Sequence, residues 1–515
     1  MDNSRVTMLI IILSIIYPLH IASQTFDTST LNSLIANSDI SAPMLQDGDH
    51  IFYDYLLEII EHQMVERDMA VKAAMQSKEA LLQRQQYLRT QFIDLLGPMP
   101  EKHPLNPVVT GRVEMEEYTI ENVAFESRPN FHITANLYLP RNIEKPRPAV
   151  YIACGHTPNG KGYEDYMKTA ALFAINGFVT LVADPIGQGE RYQFLDDQGK
   201  PLLRGSTTTH ALLDGPAMLN GSDVLACELY DNVRCIDFLE SLPYVDKAKI
   251  GMTGNSGGGT QTTFAIFYEK RIKAAAPACF IATSLKKFHT HGIGPGDGCQ
   301  QLRNEGPLGI EEQDFLFMAA PTPVCILAGE KDYFPIEGTR EAYRDLKNMY
   351  SLLGHPEKAE LITCHEGHGF SKPLREGAVQ WMKKWLMEDD SPVIEPENLE
   401  YPTEEEVQVT PTGQVGSHFK SETHMGEIYL EQFELKETSR EKFRQNSRKV
   451  LTDKVKELSG YRQPEEISGE LVETIKEGNI LVKKLFIKRT NGIDLPAILF
   501  IPINESPLSA MVLAD

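Results

Sequence analysis

One glycine-rich stretch, residues 249–260, constrains the fold of this chain more than any other feature. Its first residues predict a short strand, and a Gly-x-Ser-x-Gly motif centred on Ser256 leads from it into a predicted helix. Gly254 and Gly258 permit the strained turn that exposes a serine hydroxyl at the edge of a sheet. The motif therefore predicts Ser256 as a nucleophile, although taken alone it also fits a glycine-rich turn with an incidental serine.

A serine of this kind needs an acid, which follows it in the chain on the loop after a later strand. Residues 323–329 are an apolar run typical of a buried parallel strand, and Glu330 and Asp332 come directly after it. We predict Asp332 as the acid because it lies at the apex of the loop, where a short carboxylate can orient a histidine. Glu330 is the alternative.

The serine also needs a base, a histidine that follows the acid in the chain. Residues 359–364 predict the last strand, and His365 and His368 come after it. Glycines on both sides of His368 permit a sharp turn, so His368 is the predicted base. His365 lies nearer the strand, and we expect a structural role for it.

The oxyanion of a tetrahedral intermediate needs two hydrogen-bond donors. One is the backbone N–H of the residue after the nucleophile, here Gly257, and the other comes from the loop after an earlier strand. Residues 148–154 predict that strand, so the N–H of His156 is the expected second donor and that of Thr157 is the next choice. The prediction concerns the backbone of His156 and gives its imidazole no role.

Several further segments resemble one family. They are residues 230–239, the continuation through Val245 and Asp246 to 254–262, the loop 154–161 and the turn 184–191. Over about residues 85–390 the chain resembles the α/β-hydrolases grouped with bacterial acetylxylan esterases and dienelactone hydrolases. The resemblance implies an α/β fold with a mostly parallel eight-strand sheet and helices on both faces, a Ser-His-Asp triad, no cofactor, and ester hydrolysis. Residues 296–301 depart from the family in a loop that often shapes the pocket, so the resemblance does not identify which ester is the substrate.

Composition agrees with a folded enzyme and narrows its partners. Of 515 residues, 42% are hydrophobic and 24% are charged, as in globular proteins. A formal net charge of −22 repels nucleic acid and anionic lipid, so neither is an expected partner. The expected partner is an acylated carbohydrate or another small ester.

The amino-terminal residues predict a secretory signal peptide, residues 1–23. Arg5 precedes an apolar run, residues 6–17, and the small pair Ala22 and Ser23 offers a cleavage site. The run is short for a bilayer core of about 30 Å, so an uncleaved anchor is the lesser alternative. We therefore expect a secreted or periplasmic protein without membrane contact after cleavage.

Seven cysteines are distributed through the chain, most of them in predicted strands or helices. Cys279 and Cys299 lie on either side of a long loop and form the one disulfide that we expect in an oxidising compartment. The sequence contains no Cys-x-x-Cys or His-Glu-x-x-His spacing, so it implies no metal.

Two further regions flank the predicted catalytic domain, residues 110–390. Residues 24–109 predict a helical region, in which apolar residues recur at helical spacing from residue 55 to residue 96, before the helix-ending pair Gly97 and Pro98. We expect this apolar stripe to pack on the catalytic domain, and binding of a partner is the lesser alternative.

The carboxyl-terminal region predicts an internal repeat. Residues 391–425, rich in proline and glutamate, predict a linker, and residues 426–515 predict a helical segment and the start of a second, incomplete hydrolase-like unit. Two pairs of similar segments carry this prediction: 137–142 with 499–504, and 149–153 with 510–514. Chance similarity is the alternative. If the repeat is real, a chain truncated near Pro392 should keep its activity.

We therefore expect a secreted serine esterase that deacetylates a polysaccharide such as xylan. A serine peptidase of the prolyl-oligopeptidase type shares the fold and the triad, but it would carry a β-propeller, and the amino-terminal region has no periodic strand repeats. A binding module without activity would need a broken triad, and none is visible.

Overall fold

The computed structural model describes residues 51–203, 205–292, 297–461, 463, 466–489 and 492–503. Contacts divide the chain into two units, Tyr53–Tyr461 and the combination of Met1–Phe52 with Arg462–Asp515. The predicted signal peptide, residues 1–23, and the predicted strand at 510–514 lie outside the described residues. No helix among the described residues is both long and apolar enough to cross a bilayer.

A nine-stranded sheet lies at the centre of the described part of the larger unit. Its strands are β1 (Val108–Glu114), β2 (Tyr118–Arg128), β3 (Phe131–Pro140), β4 (Arg147–Ala153), β5 (Val179–Ala183), β6 (Val245–Asn255), β7 (Ile272–Ala278), β8 (Val324–Gly329) and β9 (Ala359–Cys364). Their spatial order is β1-β2-β3-β5-β4-β6-β7-β8-β9, antiparallel as far as β5 and parallel from β5 to β9. The mostly parallel sheet is confirmed, with one strand more than the eight expected. The additional strand is β1, an exposed edge strand that lacks the apolar alternation from which strands are predicted.

Helices connect the strands and cover both faces of the sheet. They are α1 (Ile51–Ala74), α2 (Lys78–Leu96), α3 (Glu164–Ile175), α4 (Ser206–Leu219), α5 (Val224–Ser241), α6 (Gly257–Tyr268), α7 (Ser284–His291), α8 (Glu312–Met318), α9 (Ile336–Leu353), α10 (Lys372–Met382), α11 (Val415–His418), α12 (Met425–Leu435), α13 (Glu437–Arg444) and α14 (Arg448–Leu458). Side chains along β4 alternate between two buried clusters, with Ala149 and Tyr151 in one and Val150 and Ile152 in the other. The central strands are thus buried on both faces, as in other parallel sheets.

The predicted amino-terminal helical region consists of two helices in its described part. α1 ends at Ala74 and α2 begins at Lys78. Between them Ser77 caps α2, because its hydroxyl accepts a hydrogen bond from the N–H of Ala80 at 3.1 Å. The break changes the helical register that the continuous apolar pattern predicted.

The apolar stripe packs on the catalytic domain, as expected. Leu88 and Phe92 of α2 are fully buried, and the ring of Phe92 lies 4.6 Å from that of Phe267 in α6. Leu82, which belongs to the predicted stripe, is exposed, and Leu81 is buried in its place. The stripe therefore stabilises the contact between α2 and the helix that follows Ser256.

Residues 391–425, the predicted linker, are packed against the strands of the larger unit. Val407 is buried, and its carbonyl accepts a hydrogen bond from Asn136 Nδ2 at 2.9 Å. The carboxylate of Glu190 accepts the backbone N–H groups of Val409 and Thr410, each at 2.7 Å. The proline and glutamate content predicted a linker, but composition does not reveal contacts that backbone groups make.

The smaller unit contains an antiparallel sheet of β10 (Ile467–Glu477), β11 (Ile480–Arg489) and β12 (Leu495–Pro502). Its pairing repeats that of β1, β2 and β3 at one constant sequence offset. The pair Val108 with Ala124 corresponds to the pair Glu470 with Phe486, and the pair Tyr118 with Pro140 corresponds to the pair Ile480 with Pro502. The bulge at Val109/Gly111 corresponds to the bulge at Leu471/Glu473. The internal repeat remains a prediction, and this shared register supports it.

Candidate active site

Ser256 lies in the turn between β6, which ends at Asn255, and α6, which begins at Gly257. Its backbone has φ 59° and ψ −122°, a region that residues other than glycine rarely occupy. Such a conformation costs on the order of 1–3 kcal/mol and is concentrated at functional sites. The turn is also tight, because a Cβ atom at Gly258 would lie 2.0 Å from the carbonyl oxygen of Ala153. The glycine motif thus folds into a sharp strand-to-helix turn.

Asp332 and His368 lie on the loops after β8 and β9, and they are hydrogen-bonded to each other. His368 Nδ1 is 2.9 Å from Asp332 Oδ1 and 3.1 Å from Oδ2. The carboxylate also accepts the N–H of Phe334 at 3.0 Å, and it is only 2% exposed, whereas the imidazole is 27% exposed. Among the described residues, His368 Nε2 has no hydrogen-bond partner. A buried acid therefore orients a histidine whose second nitrogen is available for proton transfer.

The two alternative residues, Glu330 and His365, form a separate pair. His365 Nδ1 lies 3.4 Å from Glu330 Oε2, and the imidazole is 75% exposed. Glu330 also accepts a hydrogen bond from Arg340 Nη2 at 2.9 Å. The structure thus pairs the predicted acid, Asp332, with the predicted base, His368, and leaves His365 exposed to solvent.

Tyr333 connects Ser256 with the pair of Asp332 and His368, and sequence reasoning missed it as a site residue. Its hydroxyl is close enough to that of Ser256 for the two to interact, and its ring centroid lies 4.5 Å from that of His368. Partial burial raises the pKa of Tyr333, and the interaction with the Ser256 hydroxyl acts in the opposite direction. The phenol is therefore neutral at physiological pH and can donate to the serine. An aromatic residue directly after the predicted acid was the available signal.

The loop after β4 approaches the same turn from the neighbouring strand. A Cβ atom at Gly155 would lie 3.0 Å from the Cβ of Ser256, so the loop can come this close only with glycine. The imidazole of His156 lies against Gly257, where a Cβ atom would be 2.8 Å from Cε1. Within the described part of the chain, neither the N–H of Gly257 nor that of His156 donates to a protein acceptor. Both predicted oxyanion donors thus lie beside Ser256.

The imidazole of His156 belongs to a polar cluster that sequence reasoning did not find. We define the His156 cluster as His156, His210, Asp297 and Cys299. Burial lowers the pKa of His210, but its hydrogen bond with Asp297 and the charge of Glu228 outweigh that effect and raise the pKa to about 9. The cluster draws its members from two loops and from α4, so no local motif announces it.

The expected disulfide between Cys279 and Cys299 is wrong, because all seven cysteines are free. Cys279 follows β7, and its thiol donates to the carbonyl of Gly369 at 3.5 Å. The thiol of Cys299 lies 3.2 Å from His156 Nε2. The two thiols therefore have different neighbours, and burial raises the pKa of both.

Comparison with known proteins finds one matching family and several similar proteins. Residues 100–286 match the acetyl xylan esterase (AXE1) family. YtaP of Bacillus subtilis (strain 168), a protein described only provisionally as a hydrolase, is 23% identical over 312 residues, which make up 58% of this chain and 98% of that protein.

Solved structures also align with the chain. Methylesterase BT1017 is 17% identical, with 77% of this chain and 75% of that chain covered and a TM-score of 0.46. The acetyl xylan esterase from Paenibacillus sp. R4 is 18% identical, with 58% and 99% covered and a TM-score of 0.40. The family match at residues 100–286 confirms the resemblance to acetyl xylan esterases of the α/β-hydrolase superfamily, and the chain is a carboxylic ester hydrolase.

Proposed function

We propose that this protein is a secreted serine esterase that removes acetyl groups from a polysaccharide such as xylan. One observation carries the proposal: buried Asp332 holds His368 by a hydrogen bond of 2.9 Å, and Ser256 is fixed in a strained strand-to-helix turn. A nucleophile, a base and an orienting acid are the elements of a Ser-His-Asp triad. Tyr333 joins them, since it contacts both Ser256 and His368.

In the first half-reaction, Ser256 Oγ attacks the ester carbonyl carbon. His368 Nε2 takes the hydroxyl proton, while Asp332 keeps the imidazole oriented through Nδ1 and stabilises its positive charge. The N–H groups of Gly257 and His156 donate to the oxyanion of the tetrahedral intermediate. His368 then gives its proton to the leaving sugar oxygen, and the acetyl group stays on Ser256.

In the second half-reaction, water attacks the acetyl-enzyme. His368 takes a proton from this water and returns it to Ser256 Oγ when the second tetrahedral intermediate collapses. The same N–H groups hold the second oxyanion. Acetate leaves, and the free serine is restored.

The substrate class rests on the family match, since residues 100–286 match acetyl xylan esterases. The described strands form one nine-stranded and one three-stranded sheet, so nothing in the described residues favours the peptidase alternative with its β-propeller. Secretion rests on the amino-terminal pattern of Arg5 and the apolar run 6–17.

The experiment is a kinetic comparison of wild type with Ser256→Ala on acetylated xylan. We expect kcat/KM to fall by at least about a thousandfold, because the nucleophile is lost and only binding and oxyanion stabilisation remain. An unchanged circular dichroism spectrum controls for folding. Activity within about tenfold of wild type would contradict the nucleophile assignment.

A substrate panel tests the acyl group and the sugar. We expect wild type to hydrolyse acetylated xylan faster than feruloylated or methyl-glucuronoyl substrates of similar size. If a methyl-glucuronoyl ester is the best substrate, the acetyl assignment is wrong while the esterase mechanism stands. For the location, mass spectrometry of the exported protein should find Gln24 as its first residue.

A further inference from the structure

The His156 cluster brings together four side chains that ligate metals in other proteins. Their candidate ligand atoms all lie within 4.8 Å of one another. The set consists of two imidazoles, a carboxylate and a thiol, and it lies next to Gly257 through the imidazole of His156. Cys279, Asp332 and His368 form a second such group, but those atoms belong to the candidate active site.

The spacing within the His156 cluster is close to that around a tetrahedral ion. Zinc bonds of about 2.0–2.3 Å place neighbouring ligand atoms about 3.3–3.8 Å apart. His156 Nε2 is 3.0 Å from Asp297 Oδ2 and 3.2 Å from Cys299 Sγ. His210 Nδ1 is 3.2 Å from Asp297 Oδ1. Outward movements of a few tenths of an ångström would admit the ion.

The hydrogen bonding of His210 is like that of a histidine that ligates a metal. Its Nε2 donates to the carbonyl of Ile186 at 2.8 Å, and a ligating histidine usually fixes its other nitrogen in this way. The proton on Nε2 directs Nδ1 toward the carboxylate of Asp297, so a second proton or a cation must lie between them.

Unpartnered oxygens favour the metal over the proton. Asp297 Oδ2 faces His156 Nε2 at 3.0 Å, and both carboxylate oxygens of Glu228 have no hydrogen bond among the described residues. The side chains of these residues are only 8% and 3% exposed, and Glu228 lies 3.6 Å from His210 Nε2. A buried carboxylate without a hydrogen bond is strongly unfavourable, and a bound dication would add positive charge beside Glu228.

We propose that His156, His210, Asp297 and Cys299 bind one zinc ion. Nitrogen, carboxylate and thiolate donors suit zinc, whereas calcium and magnesium prefer sites built from oxygen alone. The ion would connect the loop that carries His156 to α4 and to the segment that carries Asp297 and Cys299. Because His156 and His210 lie far in sequence from each other and from the pair Asp297 and Cys299, no spacing motif reveals the site.

The test measures zinc content of the full chain after loading with zinc chloride and desalting. We expect one zinc per chain in wild type and no retained zinc in Cys299→Ser or Asp297→Asn. Cys364→Ser and His368→Gln are the matched controls, since they remove a thiol and an imidazole outside the cluster, and both should retain one zinc per chain. Near-ultraviolet circular dichroism establishes that each variant is folded.

Cobalt substitution provides a second readout that does not depend on metal content. Cobalt-loaded wild type should show a thiolate-to-cobalt charge-transfer band, because Cys299 would be a ligand, and Cys299→Ser should lack it. The proposal is overturned if desalted wild type holds no zinc, if folded Cys299→Ser keeps its zinc, if His368→Gln loses it, or if the cobalt protein shows no thiolate band.

Discussion

His368 and His365 share a loop but differ in what holds them. Asp332 fixes His368 Nδ1 at 2.9 Å, whereas His365 is 75% exposed and contacts Glu330 at 3.4 Å. We expect His368→Ala to lower kcat/KM by at least about a hundredfold, the usual range for loss of a general base. His365→Ala should lower it by no more than about threefold, because an exposed pair contributes little. Steady-state kinetics on acetylated xylan measure both, and the reverse order would mean that the base is His365.

Tyr333 offers a second test at the scale of single residues. Tyr333→Phe removes the hydroxyl that interacts with Ser256 but keeps the ring that lies 4.5 Å from His368. We expect kcat to fall about three- to tenfold with KM nearly unchanged, which corresponds to one hydrogen bond of about 0.5–1.5 kcal/mol. Tyr333→Leu, which also removes the ring, should lose more. Equal kcat for wild type and Tyr333→Phe would show that the hydroxyl does not position the serine.

Sequence reasoning predicted the site residues that local chain geometry brings into place. Ser256 follows from its glycines, and Asp332 and His368 follow from their positions after apolar strands, because parallel strands deliver their carboxyl ends to one edge of a sheet. Tyr333 is placed by the same loop as Asp332 and could have been proposed. His210 and Asp297 could not, because only the tertiary fold brings α4 to the loop that carries His156.

Among the elements, the turn from β6 to α6 tolerates added side-chain volume least, at Gly258. A Cβ atom at Gly258 would lie 2.0 Å from the backbone oxygen of Ala153, so Gly258→Ala must displace α6 from β4. We expect a loss of about 1–3 kcal/mol in the free energy of unfolding, measured by urea denaturation. Gly426→Ala is the matched control, because a Cβ atom there meets nothing within 4 Å and alanine favours a helix. Equal stability of the two variants would contradict the close packing of this turn.

Strands with buried side chains could be predicted from their apolar residues. Exposed strands, and segments held by hydrogen bonds of their backbone, could not. β4 and β8 are apolar runs buried on both faces, which is the pattern that periodicity detects. β1 is exposed along most of its length and carries no such pattern. The apolar stripe continues across Ser77, so the sequence pattern did not predict the break between α1 and α2, although serine is a common helix cap.

At the scale of the whole molecule, the internal repeat is supported by the pairing of its strands and not by amino-acid composition. β10, β11 and β12 share with β1, β2 and β3 both the register and the position of one bulge. Bulges are specific features that change the course of a strand, so a common position is a stringent match. The sequence revealed the similar segments 137–142 and 499–504, but the shared register needs the hydrogen bonds.

Truncation at two positions tests how the chain divides. A chain that ends at Tyr461 keeps the whole compact unit, so we expect it to fold and to retain wild-type kcat/KM on acetylated xylan. A chain that ends at Pro392 loses Val409 and Thr410, whose N–H groups satisfy the buried carboxylate of Glu190. Leaving that charge with fewer partners should cost about 3–5 kcal/mol and lower the melting temperature, contrary to what the linker interpretation predicts. If the chain ending at Pro392 is as stable and active as the one ending at Tyr461, then residues 393–461 contribute nothing to the catalytic unit and the linker interpretation stands.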